Sequence, residues 1–211
     1  MAGLDGFNVT IPYKQDVMPL LARLDDRAAR VGAVNTVTMA DRTGHNTDVQ
    51  GFMAMLRRAG IDPAGMPCWV LGTGGASKAV RVALEDAGAA SIAMVSRHPE
   101  AGEKSYGELR REFRGLLVNC TPAGMYPHPE GCPVPPEALE EVLRRAEGVA
   151  DLIYNPPETR LTAAARRMGI PACTGLPMLV AQAVEAESLW QGYSLPDELV
   201  DDVLHEVEGI L

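Results

Sequence analysis

The positions nearest to chemistry in this sequence carry almost no side chain. Gly72, Gly74 and Gly75 follow the apolar run Trp69, Val70 and Leu71, and apolar residues then recur at helical spacing through Ala76, Val80, Ala83 and Ala87. Strand, glycine turn and helix in that order expose backbone N–H groups at a helix N-terminus with nothing to cover them. The pyrophosphate of a dinucleotide is held in this way, because the helix dipole favours an anion that side chains would keep out. Gly72, Gly74, Gly75, Ala76 and Ser77 are the expected contacts. Ser77 stands where G-x-G-x-x-G has its third glycine, so the spacing alone is a weak signal and its place between strand and helix carries the reading. The alternative is a glycine-rich turn in some other α/β protein.

The end of the next strand bears on which dinucleotide is bound. Gly88 is placed to end the helix, and Ser91 to Val95 reads as a buried strand. A carboxylate at its end would bind the ribose hydroxyls of NAD and repel the extra phosphate of NADP. Ser96, Arg97 and His98 stand there instead. Arg97 can pair with a 2′-phosphate and stack on adenine, which favours NADP. A solvated arginine with no ligand is the other reading.

Two charged residues elsewhere are open to both a plain and a chemical reading. Lys14 follows Val9, Thr10 and Ile11, a short β-branched strand that must stop at Pro12. A lysine there either snorkels to solvent or stands beside the core. Asp48 precedes a helix whose apolar face is Val49, Phe52, Met53 and Leu56, so it either caps that helix or serves a site. Asn35 is a polar residue in a strand predicted over Ala33 to Met39.

Composition narrows the class of partner. The chain has 211 residues, 46% of them hydrophobic, and a formal net charge of −9. That charge argues against nucleic acid or an anionic membrane, so an anionic cofactor needs a local positive patch. Cys68, Cys120, Cys132 and Cys173 show no metal-ligand spacing, and they read as reduced thiols of a cytoplasmic protein with no metal site. No signal peptide opens the sequence, and no apolar run is long enough to cross a bilayer.

The elements that must position these residues follow from periodicity. Val17, Leu20, Leu21 and Leu24 suggest a helix with Lys14 at its mouth, and ADRTG suggests a hairpin turn with Gly44 supplying the unusual backbone. Leu116 to Asn119 and Val149 to Tyr154 are predicted strands, TRLTAAARRMG a helix ended by Gly169, and Ile170 to Cys173 a last short strand. The segment TPAGMYPHPEGCPVPPE is a loop, in which His128 reads as solvated. Met178 to Gln191 is a helix stopped by Gly192, with Leu179, Ala183, Ala186 and Trp190 on its apolar face and Gln182 opposite. A last helix presents Leu199, Val203 and Val207 on one side.

Several of these segments together resemble the shikimate dehydrogenase family. FNVTIPYK, GAVNT, NTD-x-x-G and the glycine turn occur in the family's order, followed by LVNCTPAGM, DLIYNPPET and GLPMLVAQA. The resemblance implies an α/β protein, a Rossmann NADP-binding domain over residues 63–175 with a second, smaller and truncated α/β substrate domain from residues 1–62 and 176–211. It implies reversible hydride transfer between NADPH and the keto group of 3-dehydroshikimate, giving shikimate. Lys14 and Asp48 then act as a catalytic pair, since a hydride arriving at a carbonyl carbon leaves charge on oxygen that a proton donor must meet. Thr10, Asn35, Tyr154 and Gln182 take the substrate positions, and Met125 and Gly175 those lining the nicotinamide pocket. The family's opening units, including a Ser-x-Ser pair for the substrate carboxylate, have no counterpart, the first serine being Ser77. Three expectations follow from that gap: an uncovered sheet edge that favours a homodimer, weak turnover of shikimate, or a non-catalytic NADP-binding module. A quinate dehydrogenase remains a further alternative.

Overall fold

The computed structural model describes residues 3–10, 12–196 and 198–209. Its larger layer is a six-stranded, wholly parallel sheet built from β5 (Pro67–Leu71), β6 (Ser91–Ser96), β7 (Lys104–Ser105), β8 (Gly115–Asn119), β9 (Ala146–Asp151) and β10 (Ala172–Cys173). The spatial order is β10-β9-β8-β5-β6-β7, which numbered from β5 is the doubly wound order 3-2-1-4-5-6 read from the other edge. The chain reverses direction between β5 and β8, and a crevice must open at their carboxyl ends.

Both faces of this sheet are covered, and side-chain alternation assigns each residue to one of them. Val70, Leu116, Val118 and Ala150 pack with Ala79, Val80 and Ala83 of α3 (Gly75–Asp86) and with Phe52, Met55 and Leu56 of α2 (Asp48–Arg58). Trp69, Leu71, Leu117 and Val149 face Leu109 of α4 (Tyr106–Glu112), Ala138 and Val142 of α5 (Pro136–Leu143) and Leu161 and Ala165 of α6 (Arg160–Arg167). Trp69 meets Phe113 edge to face at 6.2 Å between ring centroids. Because α2 lies in the same apolar cluster as the sheet, its N-terminus is fixed relative to the glycine turn.

The smaller layer is a four-stranded sheet of β1 (Gly6–Asn8), β2 (Arg23–Leu24), β3 (Thr36–Thr38) and β4 (Thr43–His45) in the order β1-β3-β4-β2. The helix α1 (Asp26–Val31) packs beside it, capped by Asp25, whose carboxylate accepts from the Ala28 N–H at 2.6 Å. The helices α7 (Leu176–Gln191) and α8 (Glu198–Glu208) return to this side, and α7 runs against α2. Gly51 permits the close crossing, since a Cβ there would stand 2.7 Å from the Met178 carbonyl oxygen.

Several expectations need correction. No α-helix forms over Val17 to Leu24; a single 3-10 turn at Met18–Leu20 leads into β2 instead. Pro19 would break a longer helix, and pairing of Arg23 and Leu24 with β4 decides the rest. The predicted strand over Ala33 to Met39 shrinks to Thr36–Thr38, and the strand at Val9 to Ile11 falls on Gly6–Asn8, with Ile11 outside the described residues. In the β3–β4 hairpin Arg42, not Gly44, takes the left-handed conformation, with φ 53°. Gly44 is needed for packing, because a Cβ there would lie 2.5 Å from Leu21 Cδ1. The strand β9 ends at Asp151, so Tyr154 stands in the loop beyond it.

On α7, Ala186 is buried but Leu179 and Ala183 are exposed, because the helix is packed by α2 and α8 on different sides. On α8 the buried residues are Val200 and Leu204, while Val203 and Val207 are half-buried. The helix ends at Gly88, Gly169 and Gly192 all have positive φ, as predicted.

Candidate active site

Lys14 and Asp48 lie 34 residues apart and meet at 2.7 Å between Nζ and Oδ2. Lys14 is placed by its own backbone, whose carbonyl accepts from the Val34 N–H at 2.7 Å. Asp48 is the first residue of α2, yet it caps nothing: Thr47 occupies the cap position, and the carboxylate turns to other partners. Its Oδ1 accepts from Asn35 Nδ2 at 3.0 Å. The pair is largely withdrawn from water, the side chains being 21% and 10% exposed. An ion pair so placed is coupled more strongly than a surface pair.

Asn35 joins the elements around it. Its Nδ2 donates to Thr47 Oγ1 at 2.9 Å, its Oδ1 accepts from the Thr47 N–H at 2.8 Å, and Gln182 Oε1 of α7 stands 3.4 Å from Nδ2. Lys14, Asp48, Asn35, Thr10, Tyr154 and Gln182 all line one cavity of about 340 Å³, together with Ala76 and Gly175. Asn8, Val9, Leu152, Met178 and Leu179 complete its wall. Asn8 is the polar member that sequence reasoning passed over, although it stands inside the FNVTIPYK segment. Gly175 is confined by the protein itself, as a Cβ there would meet the Leu152 carbonyl oxygen at 2.0 Å.

A second cavity, of about 700 Å³, opens at the carboxyl ends of β5, β6 and β8. Gly72, Gly74, Ser96 and Arg97 line it, joined by Thr73, His98, Tyr106, Thr121 and the proline-rich loop at Pro122, Pro133 and Pro135. Gly72 has φ +97°, and Gly74 begins α3 with no side chain capping it. A Cβ at Gly74 or Gly75 would meet nothing within 4 Å, so the fold does not demand glycine there. A ligand brought close to the backbone would, and the residues present fit NADP: an uncapped helix N-terminus, open glycines, and Arg97 where a carboxylate would select NAD.

Four expected cofactor contacts are placed differently. Ser77 is buried, and its hydroxyl donates to the Gly74 carbonyl at 2.7 Å, so it shapes the turn. Met125 is 43% exposed and lines neither cavity, and Gly75 also stands outside both walls. Ala76 lines the substrate-side cavity and so marks where the two cavities approach.

Behind both cavities lies a buried polar network. Asp151 Oδ1 accepts from Asn119 Nδ2 at 2.9 Å and from the Ile153 N–H at 3.2 Å, and Oδ2 accepts from Thr159 Oγ1 at 2.8 Å. Asn119 Oδ1 accepts in turn from the Thr121 N–H at 2.9 Å and the Thr121 hydroxyl at 2.7 Å. One carboxylate thus orients Thr121 in the dinucleotide-side wall and the Leu152 to Tyr154 segment in the other. Burial pushes the Asp151 carboxyl up to about 6, and its hydrogen bonds hold it from going higher. The thiols take no part in this chemistry: burial pushes Cys68 and Cys173 up to about 12.

Comparison with known proteins identifies the family. The model of the shikimate dehydrogenase substrate binding domain matches residues 1–37. A shikimate dehydrogenase (NADP(+)) of Moorella thermoacetica is 39% identical over 98% of this chain and 76% of its own length. A solved chorismate mutase/shikimate 5-dehydrogenase fusion protein from Clostridium acetobutylicum is 38% identical, with TM-score 0.90 over 97% of this chain and 78% of that one. A shikimate 5-dehydrogenase of Thermus thermophilus, solved in complex with NADP(H) and shikimate, is 33% identical with TM-score 0.83, over 97% of this chain and 80% of that one. With three quarters or more of each relative matched and the same doubly wound sheet beside a small second sheet, the chain belongs to the shikimate dehydrogenase family.

Proposed function

We propose that this protein catalyses the reversible NADP-dependent reduction of 3-dehydroshikimate to shikimate. The observation that carries this reading is the Lys14–Asp48 pair, set in one cavity wall with five amide or hydroxyl side chains and with Ala76 of the glycine turn. NADPH, when bound, supplies the hydride. Lys14 Nζ donates a proton to the substrate oxygen as negative charge develops there, and takes it back in the reverse direction. Asp48 orients Lys14 and keeps the ammonium compensated at 2.7 Å. Thr10, Asn35 and Gln182 offer both donors and acceptors to ring hydroxyls, and analogues lacking a hydroxyl leave them unpaired. Tyr154 stands in the same wall, where its hydroxyl is available to the substrate.

Gly72 and Gly74, at the turn into α3, hold the pyrophosphate, Ser96 and Arg97 the 2′-phosphate, and Gly175 the nicotinamide end. Residues 63–175 form the cofactor unit, and residues 1–62 with 176–211 the substrate unit. The test is nicotinamide reduction with shikimate and with quinate, each crossed against NADP and NAD. Shikimate with NADP is expected to give the highest kcat/KM. If none of the four pairs reduces the nicotinamide, the reading is removed; if quinate with NAD wins, the enzyme class stands and the substrate and cofactor assignments fail.

Cytoplasmic placement is supported by four cysteines with no disulfide among them, and no described helix is long and apolar enough to cross a membrane. The strand β1 pairs only with β3 among the described residues, with Leu4 and Phe7 exposed beside it, which supports a homodimer across that edge. Sedimentation equilibrium should give twice the chain mass at micromolar concentration. A clean monomer removes the dimer.

A further inference from the structure

We propose that Asp151 is a positioning residue for the hydride step, fixing the dinucleotide-side wall and the substrate-side wall relative to each other through Asn119 and Ile153. The inference rests on the reaction proposed above and concerns a side chain that lines neither cavity. Asp151 is fully buried at the carboxyl end of β9, and its described hydrogen-bond partners are all uncharged donors. Burying an acid with no cation against it costs stability. What the arrangement provides is a single group that reaches both walls.

One branch leads to the cofactor side. Asn119 Nδ2 donates to Asp151 Oδ1 at 2.9 Å, and Asn119 Oδ1 accepts both the N–H and the hydroxyl of Thr121. Thr121 lies against the glycine turn, since a Cβ at Gly72 would stand 3.1 Å from Thr121 Cγ2. The other branch leads to the substrate side. The Ile153 N–H donates to Asp151 Oδ1 at 3.2 Å, and the Ile153 carbonyl accepts from the Gly175 N–H at 2.8 Å. Gly175 lines the substrate-side cavity and immediately precedes α7, which carries Gln182. Hydride transfer needs its two carbons within about 3.5 Å, and misplacement by about 1 Å costs about 10²-fold, so the relative placement of the walls governs turnover more than either affinity. Asp151→Asn preserves the link: its Oδ1 still accepts from Asn119 and Ile153, and its Nδ2 donates to Thr159 Oγ1, whose own proton turns to Thr162 Oγ1 at 3.2 Å. Asp151→Ala removes it.

The experiment combines amide hydrogen exchange by NMR with steady-state kinetics, and calorimetry with NADP counts the folded molecules. In Asp151→Ala the Thr121 and Ile153 amides should lose protection together, although Thr121 is bonded to Asn119 and not to Asp151. Its kcat per bound NADP should fall about 10²-fold, with the affinities for NADP and shikimate within about threefold of wild type. Asp151→Asn should restore both the protection and most of kcat. Thr121→Val leaves the buried acid in place and removes one donor to Asn119; its kcat should fall about fivefold, a result that stands even if Asp151→Ala does not fold. Wild-type kcat per bound NADP in Asp151→Ala would overturn the proposal, as would a loss confined to NADP affinity, an unaltered Thr121 amide, or wild-type turnover in Thr121→Val. A wild type that binds NADP and turns over no shikimate would remove the proposed reaction, while joint release of the two amides would still establish the link between the walls.

Discussion

Lys14→Ala is expected to lower kcat for shikimate oxidation by about 10²- to 10⁴-fold, the contribution of a positioned proton donor or acceptor. The affinity for NADP should be unaltered, because Lys14 belongs to the substrate-side cavity and the dinucleotide cavity is lined by other residues. Removing the ammonium also leaves Asp48 uncompensated at 10% side-chain exposure, with Asn35 Nδ2 at 3.0 Å as its remaining described partner. Part of the loss therefore reflects a carboxylate that now repels developing negative charge on the substrate. Asp48→Asn separates the two effects: it keeps an acceptor for Lys14 while removing the charge, so its kcat should fall less than that of Lys14→Ala. Steady-state kinetics in both directions, with NADP binding measured separately, decide the matter. A Lys14→Ala enzyme within twofold of wild type would take Lys14 out of the chemistry.

The second large effect concerns stability. In the folded protein the Asp151 carboxyl sits at about 6, against an ordinary value of 3.8, mainly because burial disfavours its charged form. Between about pH 4 and pH 6 the unfolded chain has released this proton while the folded chain still holds it. The folded state binds more protons across that window, so this group's contribution to stability falls as pH rises and then stays level. A carboxyl raised this far corresponds to about 3 kcal/mol, an upper figure for a group whose surroundings can relax. In Asp151→Asn that slope is absent. The stability of wild type minus that of the variant, from urea melts, should therefore drop by about 2 kcal/mol between about pH 4 and pH 7. The absolute difference also contains the altered bond to Thr159, so the slope is the decisive quantity. A difference independent of pH would mean that Asp151 ionises in the folded protein as it does in the unfolded one.

These two predictions differ in how far the sequence alone leads to them. Lys14 and Asp48 are separately ambiguous as residues, one a lysine after a strand and the other an acid before a helix. Only the resemblance across several segments pairs them, and only the folded chain puts Nζ 2.7 Å from Oδ2. Asp151 stands in the DLIYNPPET segment, but no local pattern says that its carboxylate is closed over by Asn119, Thr159 and the Ile153 N–H. The error at Val17 to Leu24 has a similar origin. Four apolar residues at helical spacing were available, and a proline together with pairing to the distant Thr43 and Gly44 took them into a turn and an edge strand. At Arg42 and Gly44 the sequence identified the hairpin but assigned the strained backbone to the glycine, since contact with Leu21 and Val34 leaves no trace in local composition.

What the sequence determined by itself is the doubly wound half: the glycine turn, the helix ends at Gly88 and Gly169, and strands whose unbroken apolar runs require cover on both faces. These signals are local, because turn geometry and periodicity act over a few residues. The tertiary structure decided which polar groups face one another, how closely α7 approaches α2 over Gly51, and that Ala76 and Lys14 share one cavity. Those are contacts between segments tens of residues apart, set by the shared apolar cluster beneath α2 and the larger sheet, and they exist only once that cluster has formed.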